Sequence, residues 1–174
     1  ALKDSPEISR ELCAKAKALA KEMNYRPNPF AMSLRKNAPR IIGVVVPDIV
    51  THFFASILNG IENMAIANGY FVIITTSHES YEHEKRNIEN LVNMRVEGII
   101  ACLSQETTDF SHISALKDIN MPLILFDRVC LTDQFSSVIA DGAQSAQMAT
   151  QHLLDNGSKR VAFIGGANHL DIVK

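Results

Sequence analysis

The hydrophobic and polar positions of this chain follow two different patterns, and the change comes near residue 40. Before it, six apolar residues recur at spacings of three and four: Leu12, Cys13, Ala16, Leu19, Ala20 and Met23. This spacing predicts one amphipathic helix from about residue 10 to 23, with Ser9 as its N-cap. A single helix cannot bury such a stripe alone, so we expect it to belong to a helical domain that begins before this sequence.

Prolines interrupt the helical pattern after residue 25. Asn28 followed by Pro29 matches an N-cap with proline at the first helical position, which predicts a second, short helix from residue 29 to about 36. The Asn37-Ala38-Pro39 stretch ends that helix and serves as a linker.

From residue 40 onward, apolar runs alternate with amphipathic stretches. The runs predict strands at 41–46, 70–75, 98–103, 123–126, 138–140 and 161–164. The stretches between them predict helices at about 54–68, 81–95, 109–119 and 142–154. Continuous apolar runs are typical of parallel strands buried on both faces, and the glycines at 69, 98 and 157 stand where helices end or strands begin. Six strands separated by helices predict a doubly wound α/β fold.

Charge is distributed unevenly along the chain. The total of 17 Lys and Arg against 19 Asp and Glu gives a net charge of −2. Residues 1–40 nevertheless carry nine basic and four acidic side chains, a formal charge of +5, and residues 41–174 carry −7. A basic head on an acidic body is typical of a protein that binds a polyanion such as nucleic acid, although a solvated basic helix remains an alternative.

Composition argues against membrane and secreted classes. The apolar runs are far shorter than the ~20 residues that cross a bilayer, and no charged-then-apolar leader opens the chain. The three cysteines, Cys13, Cys102 and Cys130, are odd in number and widely spaced, which does not support a disulfide framework or a zinc ribbon. We therefore expect a cytoplasmic protein.

The candidate ligand site lies where the predicted strands end, because open parallel sheets bind ligands outside the carboxyl ends of their strands. Asp127 and Arg128 follow one strand and would hold a polyhydroxylated or anionic ligand, or else form an ion pair within their loop. Phe53 and Phe54 either stack on a ligand or pack a helix onto the sheet. Asp141 follows the fifth predicted strand and completes the candidate set.

Enzyme chemistry has no clear site in this sequence. The loop after the first strand lacks the glycine pattern of a dinucleotide fold and the Gly-Lys-Ser/Thr of a P-loop, and no Gly-x-Ser-x-Gly elbow occurs. His78-Glu79 and His83-Glu84 suggest a metal site, but five residues on a helix turn through roughly 500°, which leaves the histidines on different faces of a solvated helix start. We expect no enzymatic activity, no cofactor and no metal.

Residues 27–36 have the composition of a minor-groove reader. Ala31 and Ser33 are small enough for close approach, Leu34 offers an apolar wedge, and Arg35 and Lys36 offer cations for phosphate. So short a helix is marginal in water and should need a partner to form. The alternative is a linker helix packed on the body.

These residues resemble the LacI/GalR family of bacterial transcription regulators. The likeness covers the Asn24-Tyr25-Arg26-Pro27-Asn28 stretch, the Ala31-Met32-Ser33-Leu34 stretch, Ile42 to Asp48, Arg95 to Ile100 and Phe126-Asp127-Arg128. It implies a periplasmic-binding-protein-like type I sheet, preceded by part of a helix-turn-helix head and a hinge helix. It also implies DNA contacts from Tyr25, Asn28, Ala31, Ser33, Leu34, Arg35 and Lys36.

The resemblance implies four regions and three partners. The regions are a head remnant (1–26), a hinge and linker (27–39), a first effector subdomain (40–140) and the start of a second (141–174). The partners are operator DNA, a small sugar-like effector and a second copy of the chain, which pairs through the helices beginning near Phe54 and Tyr81. A periplasmic-type sugar-binding transport protein, which shares the body, is the principal alternative.

Overall fold

The computed structural model describes residues 8–25 and 40–165, in two compact units divided between Pro39 and Arg40. In the first unit, helix α1 spans Arg10–Glu22, and the Ser9 side chain accepts a hydrogen bond from the Leu12 N–H, as an N-cap does. Of its apolar stripe only Cys13 is buried, and Leu19 is 56% exposed. The predicted helix is confirmed, and most of its apolar stripe is exposed.

The second unit contains five strands and four helices among its described residues. The strands are β1 (Ile41–Val46), β2 (Phe71–Thr76), β3 (Gly98–Ala101), β4 (Leu123–Phe126) and β5 (Ser136–Val138). The helices are α2 (His52–Ala67), α3 (Tyr81–Asn93), α4 (Ser111–Asp118) and α5 (Gly142–Asp155). All strand pairs are parallel, in the order β2-β1-β3-β4-β5, which confirms the predicted fold class.

The core lies on both faces of the central strands. On one face, α3 and α4 bury residues such as Ile88, Leu91 and Ile113 against Ile99 and Leu125. On the other face, α2 buries a smaller cluster with members from β1, β4 and the residue that follows β3: Val44, Val46, Phe54, Leu58, Cys102 and Phe126. The described helices leave the outer part of this second face open, where Ile124 is 41% and Val138 is 65% exposed.

Two predicted strands need correction. The fifth strand spans Ser136–Val138 and not 138–140, because its backbone pairs with Ile124, Leu125 and Phe126 in register and this pairing includes two serines. The predicted strand at 161–164 does not form. A strand requires a neighbour, and no described segment pairs with this one, so Phe163 and Ile164 are 82% and 96% exposed.

The glycine positions behave as predicted. Gly69 and Gly157 follow the last residues of α2 and α5 with φ of 75° and 89°, the left-handed conformation of a helix C-cap, and Gly98 opens β3.

The predicted burial of the strands on both faces holds for the central strands but not for the edge strand β5, since all three of its residues are exposed. Among the described residues, no helix combines the length and the apolar character that a membrane crossing requires.

Candidate functional site

The candidate ligand site is a set of four loops at the carboxyl ends of β1 to β4. We call these four loops together the carboxyl-edge wall. The wall comprises residues 47–54, 77–80, 102–107 and 127–128. Because the strands are parallel, the four loops meet at one edge of the sheet.

The loop after β1 places two aromatic rings differently. Thr51 caps α2 by accepting a hydrogen bond from the Phe54 N–H, so that Phe53 and Phe54 occupy its first turn. Phe54 is 6% exposed and meets Phe126 edge-on, with ring centroids 6.4 Å apart. Phe53 is 50% exposed and touches Phe54 edge-on at 5.1 Å. Phe54 therefore packs the helix onto the sheet, whereas Phe53 has a free ring surface.

Asp127 directly follows the buried Phe126 in a strained backbone conformation. Its φ of 60° is left-handed, and its N–H donates to the Val138 carbonyl at 3.1 Å. One carboxylate oxygen lies 3.9 Å from the Cys102 Sγ. Burial raises the pKa of the Cys102 thiol to about 12, so this neighbour stays uncharged at neutral pH. The Asp127 carboxylate thus makes only a weak contact among those seen and has acceptor capacity left for a ligand.

Arg128 forms an ion pair, but with a distant loop and not with Asp127. Its Nη1 donates to Glu79 Oε2 at 2.7 Å and to the Leu103 carbonyl at 3.1 Å. Burial lowers the pKa of Arg128, but the hydrogen bond and charge of Glu79 outweigh that effect and raise it above its usual value. Glu79 also accepts the Gln105 N–H at 2.8 Å, so this one carboxylate joins three loops of the carboxyl-edge wall.

Behind these loops lies a buried polar network that sequence reasoning missed. Glu84 on α3 is fully buried and accepts hydrogen bonds from the Ser104 N–H, the Thr107 hydroxyl and His112 Nε2, the last two at 2.9 Å. The Ser104 hydroxyl donates to Ser77 at 2.7 Å. The interpretation of residues 78–84 as a solvated helix start is therefore wrong for Glu84, whose charge is compensated by donors that lie far away in sequence.

The histidine pair also differs from its expected placement. His78 precedes α3 in a left-handed turn, so helical geometry does not apply to it, and its ring meets that of His83 edge-on at 6.2 Å. Across residues 8–25 and 40–165, no group of three or more His, Cys, Asp or Glu side chains is arranged to hold a metal ion.

Asp141 is not brought into the carboxyl-edge wall by any described contact. It is exposed and caps α5, its carboxylate accepting the Gln144 N–H at 2.8 Å. Of the seven candidate DNA contacts, Tyr25 is described: it is 59% exposed, and its N–H donates to the Ala20 carbonyl at the end of α1. Asn28, Ala31, Ser33, Leu34, Arg35 and Lys36 lie outside the described residues.

Residues 40–172 match the family of periplasmic binding proteins and the sugar-binding domain of the LacI family. The chain belongs to this family. Catabolite control protein A of Priestia megaterium is 31% identical over 98% of the chain and 52% of its own length. The ribose operon repressor of Halalkalibacterium halodurans is 30% identical over 91% of the chain and 46% of its own length. The chain therefore spans about half the length of these curated relatives.

A solved structure agrees with the fold. The lac repressor dimer bound to operator and the anti-inducer ONPF superimposes with a TM-score of 0.78, covering 97% of this chain and 51% of that one at 24% identity. The doubly wound sheet is thus that of LacI-family effector-binding domains, as the resemblance implied.

Proposed function

We propose that this protein is a sequence-specific DNA-binding transcription regulator, a repressor, whose operator affinity is controlled by a small sugar-like effector. One observation carries the proposal. The sugar-binding family match begins at residue 40, but similarity to catabolite control protein A extends over 98% of the chain and so includes the basic segment before the sheet. A periplasmic-type transport protein would share only the body. The protein acts by binding and not by turnover, in the cytoplasm, where operator DNA is found.

The effector binds at the carboxyl-edge wall in this proposal. Phe53 offers a free ring surface for stacking on a sugar face, and Asp127 offers a carboxylate for hydroxyl groups. Arg128 is already held by Glu79 and so shapes the wall, while Phe54 supports it from the core. Asp141 begins the second subdomain and lies on the opposite side of the effector.

The DNA-binding surface consists of Tyr25 and the residues before the sheet. Small residues allow close approach to the minor groove, Leu34 opens a base step, and Arg35 and Lys36 contact phosphate. The protein binds as a homodimer through α2 and α3, and the two-fold axis matches a palindromic operator. Exposed apolar residues on α2, namely Met64 and Ile66 at 67% and 64%, support an interface there.

The test uses the full-length protein. Duplexes are selected from a random-sequence library, and release of the selected duplex is then measured with a panel of pentoses, hexoses and their phosphates. We expect a palindromic consensus and release or tightening by one of these compounds. Selection of no consensus, or chemical conversion of the active compound, would contradict the proposal.

A variant pair then tests the carboxyl-edge wall. Asp127→Asn should abolish the effect of the active compound on DNA binding while leaving affinity for the selected duplex unchanged. Asp133→Asn changes an exposed carboxylate outside the wall in the same way and should respond like the wild type. An unchanged response curve for Asp127→Asn would remove this residue from the site.

A further inference from the structure

At the amino ends of the strands, opposite the carboxyl-edge wall, the chain passes into β1 through a residue in an unfavourable conformation. Arg40 immediately precedes β1 and has a φ of 47°. This left-handed region costs free energy for any residue with a Cβ, and it persists only where surrounding contacts hold it. The contacts of Arg40 therefore show what holds the junction.

Both backbone groups of Arg40 are bonded, one to the residue before β3 and the other to the first residue of β2. Its N–H donates to Glu97 Oε1 at 3.0 Å, and its carbonyl accepts the Phe71 N–H at 2.9 Å. The Glu97 N–H in turn donates to the Ile41 carbonyl at 2.8 Å. The first bond differs from an ordinary sheet bond, because a carboxylate side chain takes the place of a backbone carbonyl.

The side chain of Arg40 is held by the turn before β2. Its guanidinium carbon lies 5.9 Å from the centre of the Tyr70 ring, and Nη1 lies 3.4 Å from the Asn68 carbonyl that it bonds. A Cβ at Gly69 would come within 3.0 Å of the same nitrogen. The neighbouring Glu97 carboxylate raises the pKa of Tyr70. Glu97 thus holds the Arg40 backbone, whereas the Tyr70 ring and the Asn68 carbonyl hold the Arg40 side chain.

We propose that Glu97 and Tyr70 are positioning residues for operator binding: together they clamp Arg40 and so fix the backbone angles at the junction between the sheet and the DNA-binding segment. This inference rests on the proposed function. A segment that must meet one DNA site in register loses less conformational freedom if its attachment is already fixed. Non-specific binding, which has no register, gains nothing from the clamp.

The first experiment measures the clamp itself in the 174-residue chain. Amide hydrogen exchange at Arg40 is followed by NMR in the wild type, in Glu97→Ala and in Tyr70→Leu. We expect roughly 10-fold or faster exchange in Glu97→Ala, because the Arg40 amide loses its acceptor. A smaller increase is expected in Tyr70→Leu, which removes the ring beside the Arg40 guanidinium. Glu89→Ala, an exposed glutamate on α3, should exchange like the wild type. Unchanged exchange in Glu97→Ala would overturn the proposal.

The second experiment measures DNA binding by the full-length protein at fixed salt. Each variant is titrated with the duplex selected by the wild type and with a scrambled duplex of the same composition. Glu97→Ala should bind the selected duplex roughly 10-fold more weakly, the factor that corresponds to about 1.4 kcal/mol, and the scrambled duplex like the wild type. Glu97→Gln, which keeps an oxygen acceptor, should restore most of the affinity. Tyr70→Leu removes the ring beside the Arg40 guanidinium, so it supplies a second, milder test if Glu97→Ala folds poorly.

The outcomes separate this inference from the proposed function. If the wild type selects no duplex, the proposed function fails, whatever the exchange rates are. If the wild type selects a duplex and the variants bind it as tightly as the wild type does, the clamp does not serve DNA binding and the inference is wrong. Equal weakening on both duplexes would also overturn it, because the clamp is expected to act on register alone.

Discussion

Replacing the buried Glu84 tests the polar network behind the carboxyl-edge wall. Glu84→Ala removes the acceptor for three donors, namely the Ser104 N–H, the Thr107 hydroxyl and His112 Nε2. Glu84 is completely buried and the His112 side chain is 3% exposed, so water cannot readily replace the lost acceptor. Each buried donor left unpaired costs about 1–3 kcal/mol, so three such donors cost roughly 3–9 kcal/mol.

Removal of a buried charge offsets part of this loss, because the alanine variant no longer desolvates a carboxylate. We therefore expect Glu84→Ala to lower the free energy of unfolding by roughly 3–5 kcal/mol, a large part of the 5–15 kcal/mol typical of a domain. Glu84→Gln keeps one acceptor oxygen, but it replaces the other oxygen with an NH2 group. This NH2 group would face one of the donors that Glu84 binds, so that hydrogen bond is lost. This variant should fall between the wild type and Glu84→Ala.

The assay is urea unfolding of the 174-residue chain, followed by far-UV circular dichroism. Glu89→Ala lies on the same helix at an exposed position and should change stability by no more than about 0.5 kcal/mol. The reasoning is refuted if Glu84→Ala costs less than about 1 kcal/mol, the net value of one ordinary hydrogen bond. It is also refuted if Glu89→Ala costs as much.

Four other changes test separate parts of the protein. Gly43→Ala would bring a Cβ within 2.7 and 2.9 Å of the methyl carbons of buried Leu91, and we expect urea unfolding to show a loss of about 1–3 kcal/mol; an unchanged midpoint would contradict this packing. The Cys102 thiol should resist a thiol reagent at about pH 8 until the chain unfolds, and rapid labelling of the folded chain would show that it is accessible. Because its folded pKa is raised to about 12, its contribution to stability is constant below the unfolded pKa of ~8.5 and falls as pH rises from there toward 12, a decline that Cys102→Ala should remove. Asp141→Ala should lose about 1 kcal/mol of helix stability by removing the α5 cap, seen as reduced helical circular dichroism, and equal helicity would argue that the cap is dispensable. In the full-length protein, Leu34→Ala should weaken operator binding and DNA bending together without changing effector affinity in the absence of DNA; persistent bending would rule out the wedge.

The bounds of strands with continuous apolar runs were predictable, because a strand buried on both faces extends as far as its run of apolar residues. The first and fourth strands have the predicted bounds, 41–46 and 123–126. The fifth strand is shifted because backbone pairing, and not apolar composition, sets the limits of an exposed edge strand. The run at 161–164 has the right composition but no neighbour in the described residues, and composition cannot supply one.

The candidate site was predictable in position but not in its contacts. Parallel topology alone places Asp127 and Arg128 at the carboxyl edge, and sequence reasoning included both. Their partners were not predictable, because Arg128 bonds Glu79 across 49 residues of sequence. Glu79 follows the second strand, yet sequence reasoning assigned it to a solvated helix start and not to the site. Burial of Glu84 depends on donors from two other segments, which no local pattern contains.

The strand order has a consequence for how the chain folds as it is synthesised. β1 lies between β2 and β3, and Ile42 pairs with Gly98, which is 56 residues further along the chain. At roughly 5–20 residues per second, a ribosome needs about 3–11 s to make that distance. During this interval the apolar run of β1 has no partner on its β3 side, and such late, non-local pairing slows folding. We therefore expect β1 to be the segment of the nascent chain that most needs a chaperone.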